Sequence, residues 1–192
     1  MKTLRRSIMV ALIFGTLISY ASTNNVSTIK DVKAFIVKLH DVRKGNRIYV
    51  KNADGDIIIS KTIQQKGNYS KVINLSALKD GHYKVEIDKD FEILITSIEI
   101  SKGKVLLEKS YGKKIYKPVF RTKENKVYIS KIAFDSPDLK VKIYYEDELI
   151  LSDSVNGKEI LKRIYSLSED LRGNYKVIMK TNDRTYIEKF SL

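Results

Sequence analysis

The chain contains no cysteine and no tryptophan, and has only two prolines and two histidines among its 192 residues. Without cysteine there is no structural disulfide, thiolate metal site, cysteine nucleophile or lipid-modified N-terminal cysteine. With His40 and His82 as the full complement, no H-x-H or H-E-x-x-H spacing exists, and a zinc site would lack its three convergent ligands. Neither G-x-x-x-x-G-K-[ST] nor G-x-G-x-x-G occurs, so no phosphate-cradling loop of either kind is encoded. Long apolar runs are missing as well. The uncharged stretch Ile8 to Ile18 holds about eleven residues, where a bilayer crossing needs about 20.

That stretch has the build of an export signal. Lys2, Arg5 and Arg6 precede it as a positive n-region, and Ser19-Tyr20-Ala21 puts small residues at the −3 and −1 positions of a cleavage site before Ser22. Residues 1–21 are therefore expected to leave as a signal peptide. The mature chain then has no stable membrane span and is secreted or periplasmic, with the cell surface as a further destination. Cleavage removes three of the formal +13 charges and leaves +10. Such a surplus suits anionic glycans, lipopolysaccharide or nucleic acid, of which nucleic acid is the least expected. Lysines at alternate strand positions also discourage edge-to-edge pairing, which needs no ligand at all.

Hydrophobic residues make up 43% and charged residues 31%, which excludes both disorder and a multi-span membrane protein. Val, Ile and Tyr dominate the apolar positions, a bias toward strands. Self-comparison then shows an internal repeat. Leu75-Ser76-Ala77-Leu78-Lys79-Asp80-Gly81-His82-Tyr83-Lys84-Val85 recurs 92 residues on as Leu167-Ser168-Glu169-Asp170-Leu171-Arg172-Gly173-Asn174-Tyr175-Lys176-Val177. The same offset pairs Ile57-Ile58-Ile59-Ser60 with Leu149-Ile150-Leu151-Ser152, and Ile98 and Ile100 with Phe190 and Leu192. Further upstream an offset of 93 aligns Phe35-Ile36 with Tyr128-Ile129 and Lys38-Leu39 with Lys131-Ile132. The slip falls where Asn52-Ala53-Asp54-Gly55-Asp56 faces the tighter Tyr145-Glu146-Asp147-Glu148, at a hairpin turn that tolerates a one-residue change.

Each copy reads as six short strands separated by turn residues. The first spans Phe35–His40, Arg47–Lys51, Ile57–Thr62, Tyr69–Leu75, His82–Ile87 and Ile93–Ile100. The second spans Val127–Phe134, Val141–Tyr145, Leu149–Val155, Leu161–Leu167, Asn174–Met179 and Arg184–Leu192. Tyr83, Val85 and Ile87 alternate with Lys84 and Glu86, the period of a half-buried strand, and Tyr83 and Tyr175 are expected to face the two cores. The fold expected is all-β: two tandem immunoglobulin-like antiparallel β-sandwich domains, 22–101 and 119–192, after the signal peptide. Residues 102–118 have no counterpart in the second copy. They are expected to form a linker hairpin, Lys104–Lys109 then Lys114–Phe120, turning at Tyr111-Gly112.

Leu75-Ser76-x-Leu78-x-x-Gly81-x-Tyr83-x-Val85-x-Ile87 resembles the signature strand of the type A C-terminal sorting domains of type IX secretion. Val50-x-Asn52-x-x-Gly55 resembles the hairpin of those domains, although Asn52 and Gly55 have no match in the second copy. The resemblance implies a small β-sandwich on an exported bacterial protein, and raises the reading that the second copy is a sorting address. It implies no activity and no catalytic residue.

Other constellations reduce to structure. His40 and His82 correspond to Ala133 and Asn174, so neither histidine is retained between copies, and both are expected in surface or turn positions. Asn52 to Asp56 has oxygen ligands at alternate positions, but its glycine is misplaced for an EF-hand and no bidentate Glu follows. Glu146, Asp147 and Glu148 fall on a predicted turn. The remaining candidate is Lys109, Tyr111, Lys113, Lys114, Tyr116 and Lys117, where lysines interleaved with tyrosines could grip a polyanion or stack on sugar or base rings. The expectation is an exported, non-enzymatic structural or binding module of the bacterial envelope or exterior, without cofactor or metal. Its partner would be an envelope protein or an anionic glycan.

Overall fold

Alternating apolar and polar residues bounded by Gly, Asn and Asp leave the backbone one way to satisfy its hydrogen bonds while hiding one face, and that is antiparallel pairing. The computed structural model describes residues 24–30, 32–107 and 112–192, so the segment 1–21 lies outside the described residues. The chain is all-β, with sixteen strands among the described residues. In the first half these are β1 (Asn25–Thr28), β2 (Ala34–Val42), β3 (Arg47–Lys51), β4 (Ile57–Thr62), β5 (Gly67–Asn74), β6 (Gly81–Asp88), β7 (Glu92–Ser101), β8 (Lys104–Leu107) and β9 (Lys113–Tyr116). The second half holds β10 (Val119–Lys123), β11 (Lys126–Ile132), β12 (Asp138–Tyr145), β13 (Glu148–Asn156), β14 (Ile160–Ser166), β15 (Asn174–Thr181) and β16 (Arg184–Ser191).

Two sheets serve each half. The first pairs β1-β2-β5 and β4-β3-β6-β7-β8, and the second pairs β10-β11-β14 and β13-β12-β15-β16. The second half sets three strands against four, in the order of an immunoglobulin-like sandwich, and the first sets three against six, the extra strands β8 and β9 lying beyond β7. One core gathers Phe35, Val37, Leu39, Ile48, Val85 and Ile98, and a separate one gathers Val127, Ile129, Val141, Ile143, Tyr175 and Val177. β1 and a separate β10 add to the strands expected from sequence. Asn-Val-Ser-Thr lacks the alternating apolar pattern that would announce a strand, and it is held by its ladder to β2.

The ladders correct the offset of 93 in the first long strand. Phe35 faces Ile73 and Val127 faces Tyr165, all four buried, so β2 and β11 correspond at 92. The sequence match would set buried Phe35 on half-buried Tyr128. A one-residue slip turns every side chain to the opposite face, which burial forbids. The extra residue belongs to β3 and β12, where Ile48 and Val50 correspond to Val141 and Ile143. It is lost again at the 52–56 hairpin. Both halves bulge at the same step, between Val50 and Lys51 and between Ile143 and Tyr144.

Both halves also fasten the start of one strand alike. The Tyr83 hydroxyl donates to the Lys79 carbonyl at 3.0 Å and the Tyr175 hydroxyl to the Leu171 carbonyl at 2.7 Å, the geometry of a tyrosine corner. Tyr175 is 2% exposed, stacked on Phe190 with ring centroids 5.2 Å apart and tilted against Tyr145 at 5.1 Å. Tyr83 is only half-buried, because the residue corresponding to Phe190 is Ile98, which cannot stack on it.

The expected linker hairpin of residues 102–118 is corrected among the described residues: Lys104–Leu107 and Lys113–Tyr116 each pair with β7. β8 pairs the C-terminal end of β7 and β9 pairs its N-terminal part, Glu92 to Ile95, with no ladder between β8 and β9. β7 has ten residues, long enough to take both along one edge. Gly112 makes the crossing feasible: a Cβ there would stand 2.7 Å from the Ile95 carbonyl oxygen. β8 and β9 are therefore the outer edge of the first half's larger sheet.

Candidate functional site: a cleft between the halves

The turn between β6 and β7 places Phe91 outward, 55% exposed, since its neighbours must close a tight reversal and leave the ring no core to enter. Opposite stands the outer face of β10-β11-β14, where Ile132 and Ile160 are cross-strand partners, 39% and 54% exposed. Between them lies a cavity of about 600 Å³, also lined by Arg43, Tyr116, Lys117 and Val119. Exposed aromatic and aliphatic groups around a concave opening mark a binding surface better than any single polar residue would.

Its charged rim is mostly paired. Arg43 reaches Asp90 at 3.0 Å and lies 5.9 Å over the Phe91 ring, while Lys117 binds Asp88 at 2.8 Å. Lys89 and Lys114 share Glu92, at 3.6 and 2.9 Å. The bond to Glu92 raises the Lys114 pKa against the opposing pull of desolvation.

Two polar ties join the halves beside the cleft. Glu86, 5% exposed, accepts from Lys51 of its own half and from Arg184 of the other, both at 2.8 Å. Burial works against its ionisation, but the hydrogen bonds from Lys51 and Arg184 outweigh it and hold the carboxyl below the usual range. Asp135 accepts from Tyr116 N–H at 3.1 Å, from the Asn182 amide, and from Lys131 Nζ at 2.6 Å. Lys131 and Asp135 are both buried. The rings of Tyr116 and Phe134 meet edge-on at 6.3 Å.

Among the six residues singled out from sequence, Lys109 and Tyr111 lie outside the described residues. Tyr116 and Lys117 line the cleft, whereas Lys114 is drawn to Glu92 and sits 5.7 Å over the Tyr116 ring. Lys113 is exposed, beside Arg184 in a shallower depression. The four described residues thus share one short stretch but not one surface. Phe91, Ile132 and Ile160 were missed by reading the sequence. An aromatic residue in a turn was the available signal for Phe91.

The other constellations have structural partners. Asn52 Oδ1 accepts from Asp56 N–H at 2.8 Å and its amide donates back at 3.0 Å, closing the hairpin. Glu146 and Asp147 take positive φ in the β12–β13 turn, as a two-residue hairpin of primed type requires. His40 Nδ1 is 3.0 Å from Asn68 Oδ1. Among the described residues, no group of three or more His, Cys, Asp and Glu could hold a metal, and no helix is long and apolar enough to cross a membrane.

No family model and no curated protein matches the chain. Among solved structures it is similar to the BSP domain of a biofilm-associated protein, at 10% identity and a TM-score of 0.30, covering 88% of this chain. It is also similar to a type I pullulanase from Bacillus subtilis complexed with maltose, at 9% identity and a TM-score of 0.26, covering 87%. The chain spans 29% and 24% of those two chains, less than a third of either.

Proposed function

We propose that the protein is an exported, non-enzymatic binding module of the bacterial cell envelope or exterior, built from two duplicated sandwich domains that bind a partner in the cleft between them. The observation that carries this is the exposed set Phe91, Ile132 and Ile160, contributed by both halves around one opening. Apolar side chains exposed together in this way suit a partner that covers them. The pairing of Arg43, Lys89, Lys114 and Lys117 with carboxylates supports a positioning role for the rim charges over proton transfer. Export is supported by the n-region, the short apolar run and Ser19-Tyr20-Ala21. Equivalent ladders and a repeated tyrosine corner support duplication, and leave room for the second copy to serve as a sorting address.

Two measurements test this reading. The intact mass of the mature protein should begin at or near Ser22, and retention of Met1 on a membrane-bound chain would overturn export. Wild-type protein should be retained on isolated envelopes, and Phe91→Ser with Ile160→Ser should abolish retention without changing the melting temperature. Equal retention of the double variant would remove the cleft as the site.

A further inference from the structure

The outer face of the second half's larger sheet is rich in lysine. Register sets the lysines out in three cross-strand rows. The first is Ser154-Lys140-Lys180-Thr185, the second Ser152-Lys142-Ile178-Ile187, and the third Leu149-Tyr144-Lys176-Lys189. Five lysines stand within about 10 Å by 13 Å at ordinary strand spacing, and no row contains a carboxylate. Carboxylates occur only past the ends of the rows. Asp147 pairs with Lys176 at 2.6 Å, and Asp138 and Asp183 lie near Lys140 and Lys180 at the opposite end.

One row sets like charges directly opposite, Lys140 against Lys180, an arrangement that costs stability; Lys176 also faces Lys189, but Asp147 neutralises Lys176. Edge protection does not account for it, because four of the five lysines are on the inner strands β12 and β15. Nor does the fold demand it, because the corresponding pair in the first half is Arg47 against Asp88, a pair of opposite charges. The first half does set Lys51 against Lys84, but there Lys51 is neutralised by Glu86. Repulsion kept in one copy and relieved in the other has the character of a feature held for function at a cost to stability.

We propose that this face binds a linear anionic glycan. The lysines would meet its carboxylate or sulfate groups, and the Ser152, Ser154 and Thr185 hydroxyls, in the same rows, would meet its sugar hydroxyls. A nucleic acid would need an open ring for stacking, and the face's one aromatic, Tyr144, is covered by Lys176 Nζ at 4.9 Å from its centroid. The choice of a glycan rests on the export reading, which the N-terminal mass tests separately.

The experiment measures binding of the mature protein to heparin, a single-stranded oligonucleotide and anionic phospholipid vesicles. The variants are K140Q/K142Q/K180Q/K189Q and, with equal charge removed from the first half, K38Q/K61Q/K71Q/K79Q. Heparin affinity should fall at least about tenfold in the first variant and less than about threefold in the second. A third variant, Lys180→Asp, rebuilds the first half's opposite-charge pair. It should weaken heparin binding while raising the melting temperature by about 2–6 °C, a double effect that a purely structural lysine would not give. Absent heparin binding, equal losses in both four-lysine variants, a lower melting temperature in Lys180→Asp, or tighter binding to the oligonucleotide or vesicles would each overturn the proposal.

Discussion

The two halves share a ladder pattern, a bulge position and a tyrosine corner, yet differ at almost every surface that could meet another molecule. In the first half the outer edge of β7 is covered by β8 and β9, whereas the corresponding β16 has no such cover among the described residues. Where the first half carries the polar pair His40 and Asn68 on its smaller sheet, the second carries Ile132 and Ile160. Buried Leu39 corresponds to buried Lys131, and Glu86 corresponds to Ile178. Comparing the halves supplies an internal control: what both keep serves the fold, and what one changes is free to serve something else. At the matched positions the first half sets Arg47 against Asp88, and the second sets Lys140 against Lys180.

The largest expected effect sharpens the contrast between Leu39 and Lys131. Asp135→Ala should destabilise the second half by about 3–5 kcal/mol, because it takes the carboxylate from the buried Lys131 ammonium and leaves it only the Ile132 and Ser136 carbonyls. Restoring the first half's residue in the same chain, Lys131→Leu with Asp135→Ala, should recover most of that loss. Urea denaturation of the single and double variants decides it. A double variant as unstable as the single one would mean that the bonds of Asp135 to Tyr116 and Asn182 carry the energy instead.

Next in size is the difference between the corner tyrosines. Tyr175→Ala should cost about 3–5 kcal/mol, since the ring is buried and stacked on Phe190. Tyr83→Ala should cost distinctly less, about 2 kcal/mol, for a ring only half-buried. In the Phe variants the two should converge, at about 1 kcal/mol for one hydroxyl bond each. Equal losses on truncation to Ala would break the comparison.

Much of this architecture was legible in the sequence. Twelve expected strands correspond to observed ones because alternation over five or more residues leaves the faces little freedom, and the repeat fixed which strands correspond. The alignment failed in β2, where matching Phe35 with Tyr128 and Leu39 with Ile132 rewarded chemical similarity and ignored which face each residue occupies. The register of β11 then places Lys131 inward, a position no reading of the chain would assign to lysine without knowing of Asp135. Residues 102–118 misled because a hairpin reading needs only local pairing, while β7 lay waiting with a longer edge. The cleft was the least legible part. Its partners, Phe91 with Ile160 and Glu86 with Arg184, are far apart in sequence and share no motif.

A smaller effect tests the cover on β7. Gly112→Val should lift β9 from the sheet, since its Cβ would meet the Ile95 carbonyl oxygen at 2.7 Å and the Thr96 hydroxyl at 3.1 Å. The cost expected is about 1–3 kcal/mol, confined to the first half. Amide exchange should then quicken along β7 and leave β16 unchanged. Unaltered exchange in β7 would show that β9 contributes nothing to holding that edge.

The smallest effect concerns the tie between halves, present through Glu86 and without a counterpart at Ile178. The folded pKa of Glu86 is held below the unfolded value of about 4.3, because the hydrogen bonds from Lys51 and Arg184 outweigh the burial that opposes ionisation. A carboxyl depressed in this way stabilises the folded chain fully above its unfolded pKa, and the contribution is lost as pH falls through the lower folded value. Glu86→Gln should therefore melt below the wild type at pH 7, by about 2–4 °C for a chain of this size. Towards pH 3 the two curves should close on each other as the wild-type carboxylate takes up its proton. Other carboxylates titrate over the same range in both proteins, so the difference between the curves isolates this residue. Arg184→Gln should reproduce part of the loss, since it removes one of the two donors and leaves Lys51 in place. A difference that stays constant from pH 7 to pH 3 would show that Glu86 acts through packing alone, and that the halves are joined at Asp135 and the Tyr116–Phe134 contact without it.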